Sequence, residues 1–190
     1  MRKFICVILL LILVPVNNMA QARSRRRVPQ PAAESPIGIE FIDFENYTHV
    51  LNGQRYKLIG GYYARDTAPN VQWELGMVDG PYYGDLTGDG KNEAVVVLSY
   101  GVVEGPHTIE ARVYTLQKGA PVILATFPIA DSIACELDHY MDLDNGMVRI
   151  ERINGQATSG CDHNEITEYR WNGTRFMPIG EVKKVRCRCM

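Results

Sequence analysis

This 190-residue sequence predicts an all-β fold: an antiparallel meander of hairpins forming one bent sheet or a two-sheet sandwich. Three observations carry the expectation. Apolar residues recur with a period of two or in short unbroken runs, without the stripe of a helix. Gly-containing turn signals separate those runs at short intervals. After the N-terminal segment, no apolar run approaches the roughly 18 residues of a membrane-spanning helix.

Taken in order, residues 1–22 read as a secretory signal peptide. Arg2 and Lys3 precede the apolar run Phe4 to Val14, and a polar stretch ends in the small-residue site Ala20-Gln21-Ala22. The expected product is exported, periplasmic or secreted, with a mature chain that starts at Arg23 and holds no transmembrane segment. Cys6 lies inside the apolar run and is badly placed for lipidation. Residues 23–37 carry four arginines and three prolines with almost nothing to bury, the composition of a basic, Pro-rich disordered tail. Residues 38–190 then form a single β-domain, of ordinary length for one core.

The tail masks the charge of that domain. Residues 1–37 hold six of the 20 Lys and Arg but one of the 22 Asp and Glu, so residues 38–190 carry 14 against 21, a net of minus 7. An acidic domain is a poor nucleic-acid binder.

Within the domain, Asn52-Gly53 between His49–Leu51 and Gln54–Ile59 is a hairpin signal, as is Asn172-Gly173 between Glu165–Trp171 and Thr174–Met177. The continuous run Ala94–Leu98 suits a strand buried on both faces, and the alternating Thr108–Leu116 a half-buried one. Lys118-Gly119-Ala120 leads into a strand over Pro121–Phe127, and Ile129–Tyr140 is the one stretch compatible with a turn or two of helix. The order Tyr83-Gly-Asp85, strand, loop with His107, Tyr114 and closing strand returns as Tyr140-Met-Asp142, strand, loop with His163, Tyr169 and closing strand. Two such blade-like repeats are too few to close a propeller.

Four cysteines follow the signal segment: Cys135, Cys161, Cys187 and Cys189. In an oxidising compartment they favour disulfides. A Cys187–Cys189 bridge would close a very small ring, so Cys135 with Cys161 is the expected pair. A soft-metal site using His139 and His163 is the alternative, although the spacing fits no zinc template.

Enzymatic chemistry has little to stand on. Ser99 is not in a nucleophile elbow, and Glu136, Asp138, His139, His163 and Glu165 offer only scattered acid–base partners. A non-catalytic domain that binds an envelope protein or a glycan is the expectation, with a small carboxylate/His hydrolase as the alternative. Tyr62, Tyr63, Trp73, Tyr82 and Tyr83 could form a recognition surface or fill the core.

The most distinctive segment is Asp85-Leu-Thr-Gly-Asp-Gly-Lys-Asn-Glu93. With Asp85 as position one, Thr87, Asp89, the Lys91 carbonyl and Glu93 supply oxygens at three, five, seven and nine, in the order of an EF-hand. Position twelve is Val96, so a complete EF-hand is excluded. The pattern, followed at once by an apolar strand, resembles the calcium loops of FG-GAP and VCBS-type repeats found in many exported bacterial proteins. Thr87 and Glu93 depart from the Asn/Asp and Asp of that pattern. The resemblance implies a loop between two strands and calcium held by Asp85, Thr87, Asp89, Lys91 and Glu93. It implies no reaction.

Overall fold

The computed structural model describes residues 38–69, 71–130, 141–156 and 160–186, with the backbone alone for residues 154–156 and 160–162. Signal segment, basic tail and residues 131–140, where a helical turn was an option, lie outside these.

Eleven strands and two single-turn 3-10 segments, Ile39–Phe41 and Phe44–Asn46, make up the described regular structure. Strands β1 (Thr48–Leu51) and β2 (Gln54–Lys57) form a hairpin. The strands β3 (Tyr62–Ala68), β4 (Val71–Gly84), β5 (Glu93–Val102), β6 (His107–Gln117) and β7 (Ala120–Ala130) pair in chain order as a five-stranded sheet. Likewise β8 (Met141–Asp144), β9 (Met147–Gln156), β10 (Gly160–Trp171) and β11 (Phe176–Val185) form a four-stranded one. All pairings are antiparallel, so the predicted meander of hairpins is a two-sheet sandwich with a third, smaller layer.

The layers follow from side-chain alternation along β5. Val95 and Val97 point to one face, where they pack with Ile109, Ala111, Val113, Phe127 and Ile129 against Met141, Val148, Ile150 and Phe176 of the four-stranded sheet. Ala94, Val96 and Leu98 point to the other, where Leu75 and Tyr114 join Ile39, Phe44, Leu51, Tyr56 and Leu58 of the N-terminal layer. Every residue from Glu93 to Ser99 is buried, as the apolar run predicts. The same double cover corrects the expectation for Thr108–Leu116: Ala111 to Tyr114 are all buried, because β6 lies beside β5 under both layers.

Turn chemistry sets the hairpins. Asn52-Gly53 has φ of 50° and 76°, and Lys118-Gly119 and Asn145-Gly146 repeat that left-handed pair, the type I′ geometry that matches strand twist. The hairpin at Asn172-Gly173 is wider than the sequence predicts, since β11 starts at Phe176 rather than Thr174. The reason is that Asn172 Oδ1 accepts from the N–H groups of Thr174 and Arg175 at 3.0 and 2.9 Å, capping a four-residue loop. The two halves of the internal repeat fall in different sheets, each as a strand, a turn and a three-stranded meander. Asp142, the counterpart of Asp85, sits on β8 opposite Arg149, and the turn follows at Asn145-Gly146. The outer strand β7 leaves Val122 and Ile123 exposed at the sheet edge.

The N-terminal hairpin is tied to the sheet by a buried polar cluster. Arg112 donates to the Val50 carbonyl at 2.9 Å and to Glu110 Oε1 at 2.6 Å. His49 Nδ1 lies 3.0 Å from the Tyr114 hydroxyl, whereas its Nε2 is buried without a hydrogen-bond partner. Burial, then the Arg112 charge, push the His49 pKa down to about 4, opposed only by the Phe44 carbonyl. The folded ring therefore stays neutral where an unfolded histidine, with its ordinary pKa of 6.5, takes a proton. This stabilisation is complete above pH 6.5 and is lost as the pH falls towards 4, by about 3 kcal/mol in full. Urea unfolding should accordingly show that the stability of wild type falls relative to His49→Gln between pH 7 and pH 4. Parallel pH profiles for the two proteins would contradict the assignment.

Candidate functional site

The loop between β4 and β5 is built inward from Leu86, which is buried in the core between the sheets. Gly88 and Gly90 take φ of 78° and 81°, which only glycine adopts without strain, and so turn the chain tightly around Asp85. Asp85 Oδ1 accepts from Gly88 N–H at 2.7 Å and Oδ2 from Gly90 N–H at 3.0 Å. Asp89 Oδ1 accepts from Lys91 N–H at 2.9 Å. Asp85, Asp89 and Lys91 are exposed at the surface of the loop.

Glu93 behaves differently. Its side chain is fully buried, and Oε2 accepts from the N–H groups of Leu86 and Thr87 at 2.9 and 3.1 Å. Its Oε1 accepts from the hydroxyls of Thr115 at 3.2 Å and Thr87 at 3.4 Å. Burial raises the Glu93 pKa above the usual carboxylate value, while the Leu86, Thr115 and Thr87 hydrogen bonds pull it back and Asp89 adds to the rise. Of the five oxygens the sequence aligns, Glu93 thus faces the core and closes the loop from inside. Among the described residues no three His, Cys, Asp or Glu side chains gather as a metal-holding group.

The other sequence candidates separate. Cys135, Glu136, Asp138, His139, Cys187 and Cys189 lie outside the described residues. Cys161 sits on β10 opposite Gly155, with its side chain undescribed. His163 and Glu165 do meet, with Nε2 3.2 Å from Oε1, as same-side neighbours on β10. Tyr63 and Trp73 pack beneath the N-terminal layer with Tyr56, at ring-centroid distances of 4.7 to 6.2 Å. In contrast, Tyr62 and Tyr82 are 47% and 38% exposed, and Tyr83 lies at the surface as well.

Tyr62 and Tyr82 stand on the same face of the five-stranded sheet. Tyr62 is opposite Gly76, itself opposite Ser99, and Tyr82 is opposite Val95, so both share the face of Val95, Val97 and Ser99. The core between the sheets takes none of its buried residues from β3 or β4, and Tyr62 and Tyr82 stand exposed on this half of the face, with Leu143 of β8 against Gly84 and the Asp142 charge near Tyr82. Tyr62 donates to Glu74 Oε2 and Tyr82 to Asp79 Oδ1, each at 2.6 Å. The hydrogen bond to Asp79 is the main cause that raises the Tyr82 pKa to about 12, so its hydroxyl stays protonated.

One constellation on this face escapes a reading by sequence. Ser99 Oγ lies 3.2 Å from His107 Nδ1, while His107 Nε2 lies 3.1 Å from the Val102 carbonyl and 3.4 Å from Glu74 Oε1. These residues come from β5, β6 and β4, and only the register, in which Glu74, Gly101 and His107 form one row, brings them together. No local spacing encodes it.

Comparison with family models, characterised proteins and solved structures found no match to this chain.

Glu93 provides a test of the loop. Glu93→Gln keeps an acceptor for the Leu86 and Thr87 N–H groups and should cost no more than about 1–2 kcal/mol in urea unfolding. Glu93→Ala strands both buried donors and should cost about 3 kcal/mol or more. Equal losses would assign the effect to the charge rather than to the hydrogen bonds.

Proposed function

We propose that the chain is an exported, non-catalytic β-domain that binds an envelope protein or a glycan through the open half of its five-stranded sheet. The observation that carries this reading is the division of the aromatic residues. Those beneath the N-terminal layer are core, whereas Tyr62 and Tyr82 are held on an open face by carboxylates. A ring fixed at its hydroxyl gives up little further freedom on binding, and tyrosine offers apolar area with a polar tip. The flanking Glu74 and Asp79 supply acceptors for hydroxyl or amide groups. Export rests on the N-terminal segment alone.

The carboxylate/His hydrolase remains the second reading, favoured by the contact of His163 with Glu165. A contact of that kind along one strand also serves a purely structural role.

Calcium enters the proposal as a ligand of the loop surface. Each Asp85 and Asp89 oxygen keeps a lone pair beyond its N–H bond, and the Lys91 carbonyl and Thr87 hydroxyl complete a small set. With Glu93 turned inward, these fall short of the six to eight oxygens of a tight site. Binding in the range of weak extracellular modules follows, a Kd of roughly 0.1 to 1 mM.

Two experiments test these readings. Immobilised domain should retain a specific component from solubilised envelope, or sediment with insoluble envelope polysaccharide, and the double variant Tyr62→Ala/Tyr82→Ala should lose most of it. Undiminished capture by that variant would remove the open face from the account. About 1 mM calcium should raise the melting midpoint by about 1–5 °C over chelator, and identical midpoints would exclude the ion.

A further inference from the structure

We propose that Ser99 is an activated serine that accepts an acyl group from an activated carboxylic ester. This goes beyond the binding reading, with which it shares Tyr62 and Glu74, and a single acylation is a covalent modification that requires no turnover.

The geometry assigns each role. A carbonyl oxygen can only accept, so the 3.1 Å contact with Val102 places the His107 proton on Nε2. Nδ1 is then an acceptor, and the Ser99 hydroxyl at 3.2 Å is its donor. Glu74 Oε1, 3.4 Å from Nε2, is positioned to stabilise the imidazolium that forms when Nδ1 takes the serine proton. Glu74 is itself held by the Tyr62 hydroxyl at 2.6 Å, so the carboxylate stands fixed beside an imidazole whose Nε2–H is taken by the Val102 carbonyl and whose Nδ1 meets Ser99. That is the arrangement by which a neutral serine becomes nucleophilic.

Two glycines make it possible. At Gly101 a Cβ would stand 2.4 Å from the Pro106 carbonyl oxygen and 2.9 Å from His107 Cδ2, so only glycine lets the imidazole lie across β5 towards Glu74 on β4. Gly76, opposite Ser99, carries no side chain, and the Tyr62 ring lies 3.9 Å from where its Cβ would be. Ser99 is 6% exposed, so it reacts through local opening of the sheet face on which it lies, and the rate of acylation reports that opening.

In the step itself, Ser99 Oγ forms a bond to the ester carbonyl carbon as its proton passes to His107 Nδ1. The ester C–O bond then breaks, and His107 returns the proton to the departing alkoxide. The products are O-acyl serine and a free alcohol, with no oxidant or further reactant.

The probe is p-nitrophenyl acetate with the full chain, read by p-nitrophenolate release and by peptide mass mapping. Wild type should release a single equivalent and carry acetyl on the peptide of Ser99. Ser99→Ala should lose that adduct, and His107→Gln should slow its formation by about 100-fold or more. Mapping on wild type decides the matter even if a variant fails to fold. Acetyl on lysines alone, or Ser99 acetylated equally fast in His107→Gln, would overturn the proposal.

Discussion

Everything else in the structure is arranged around the burial of β5 on both faces. Five successive apolar side chains from Ala94 to Leu98 alternate between two cores, so one covering sheet cannot satisfy the strand. Each large apolar side chain covered contributes about 1.5–3 kcal/mol, and the N-terminal layer adds Ile39, Phe44, Leu51, Tyr56 and Leu58 to the burial of Val96 and Leu98. The four-stranded sheet takes one face, and the 3-10 segments with β1 and β2 take the other. The polar devices of the molecule sit where that double cover ends. Glu93 stands at the entry of the strand and Ser99 with Gly101 at its exit.

The buried polar groups show how such ends are made tolerable. Glu93 is deeper than a lone carboxylate should be, yet four donors reach it, and two of them are backbone N–H groups that the tight loop leaves without strand partners. Arg112 is neutralised by Glu110 and satisfied further by the Val50 carbonyl. In the same cluster His49 takes the opposite course and gives up its charge, chiefly because it is buried and further because the adjacent guanidinium disfavours a second cation. Each group is locally accounted for except His49 Nε2, whose missing partner marks the least satisfied point under the N-terminal layer.

Much of the architecture was legible in the sequence. The run Ala94–Leu98 announced a central strand, and Asn52-Gly53 encoded a hairpin, because positive φ at both turn residues is a local demand. The half-buried reading of Thr108–Leu116 failed because alternation reports polarity and not cover: Arg112 is polar and buried, being paired. The loop was read by residue type, which identified its oxygens but not their directions. Nothing in Asp-x-Thr-Gly-Asp-Gly-x-x-Glu tells that Glu93 turns inward, since that depends on Thr115 of the neighbouring strand β6, 22 residues further along the chain. Ser99, Glu74 and His107 were invisible for the same reason, as strand register is a property of the whole sheet.

The outermost strand of the larger sheet bears on how the molecule behaves in a crowd. From Ala120 to Ala130 it has no charged residue, and Val122 and Ile123 face outward. An uncharged margin of that kind invites another chain to zip on in register, the first move towards fibrils. What interrupts it is covalent rather than electrostatic: Pro121 and Pro128 break the row of amide protons near either end of the strand. Two pyrrolidine rings thus blunt an edge that carries no charge of its own.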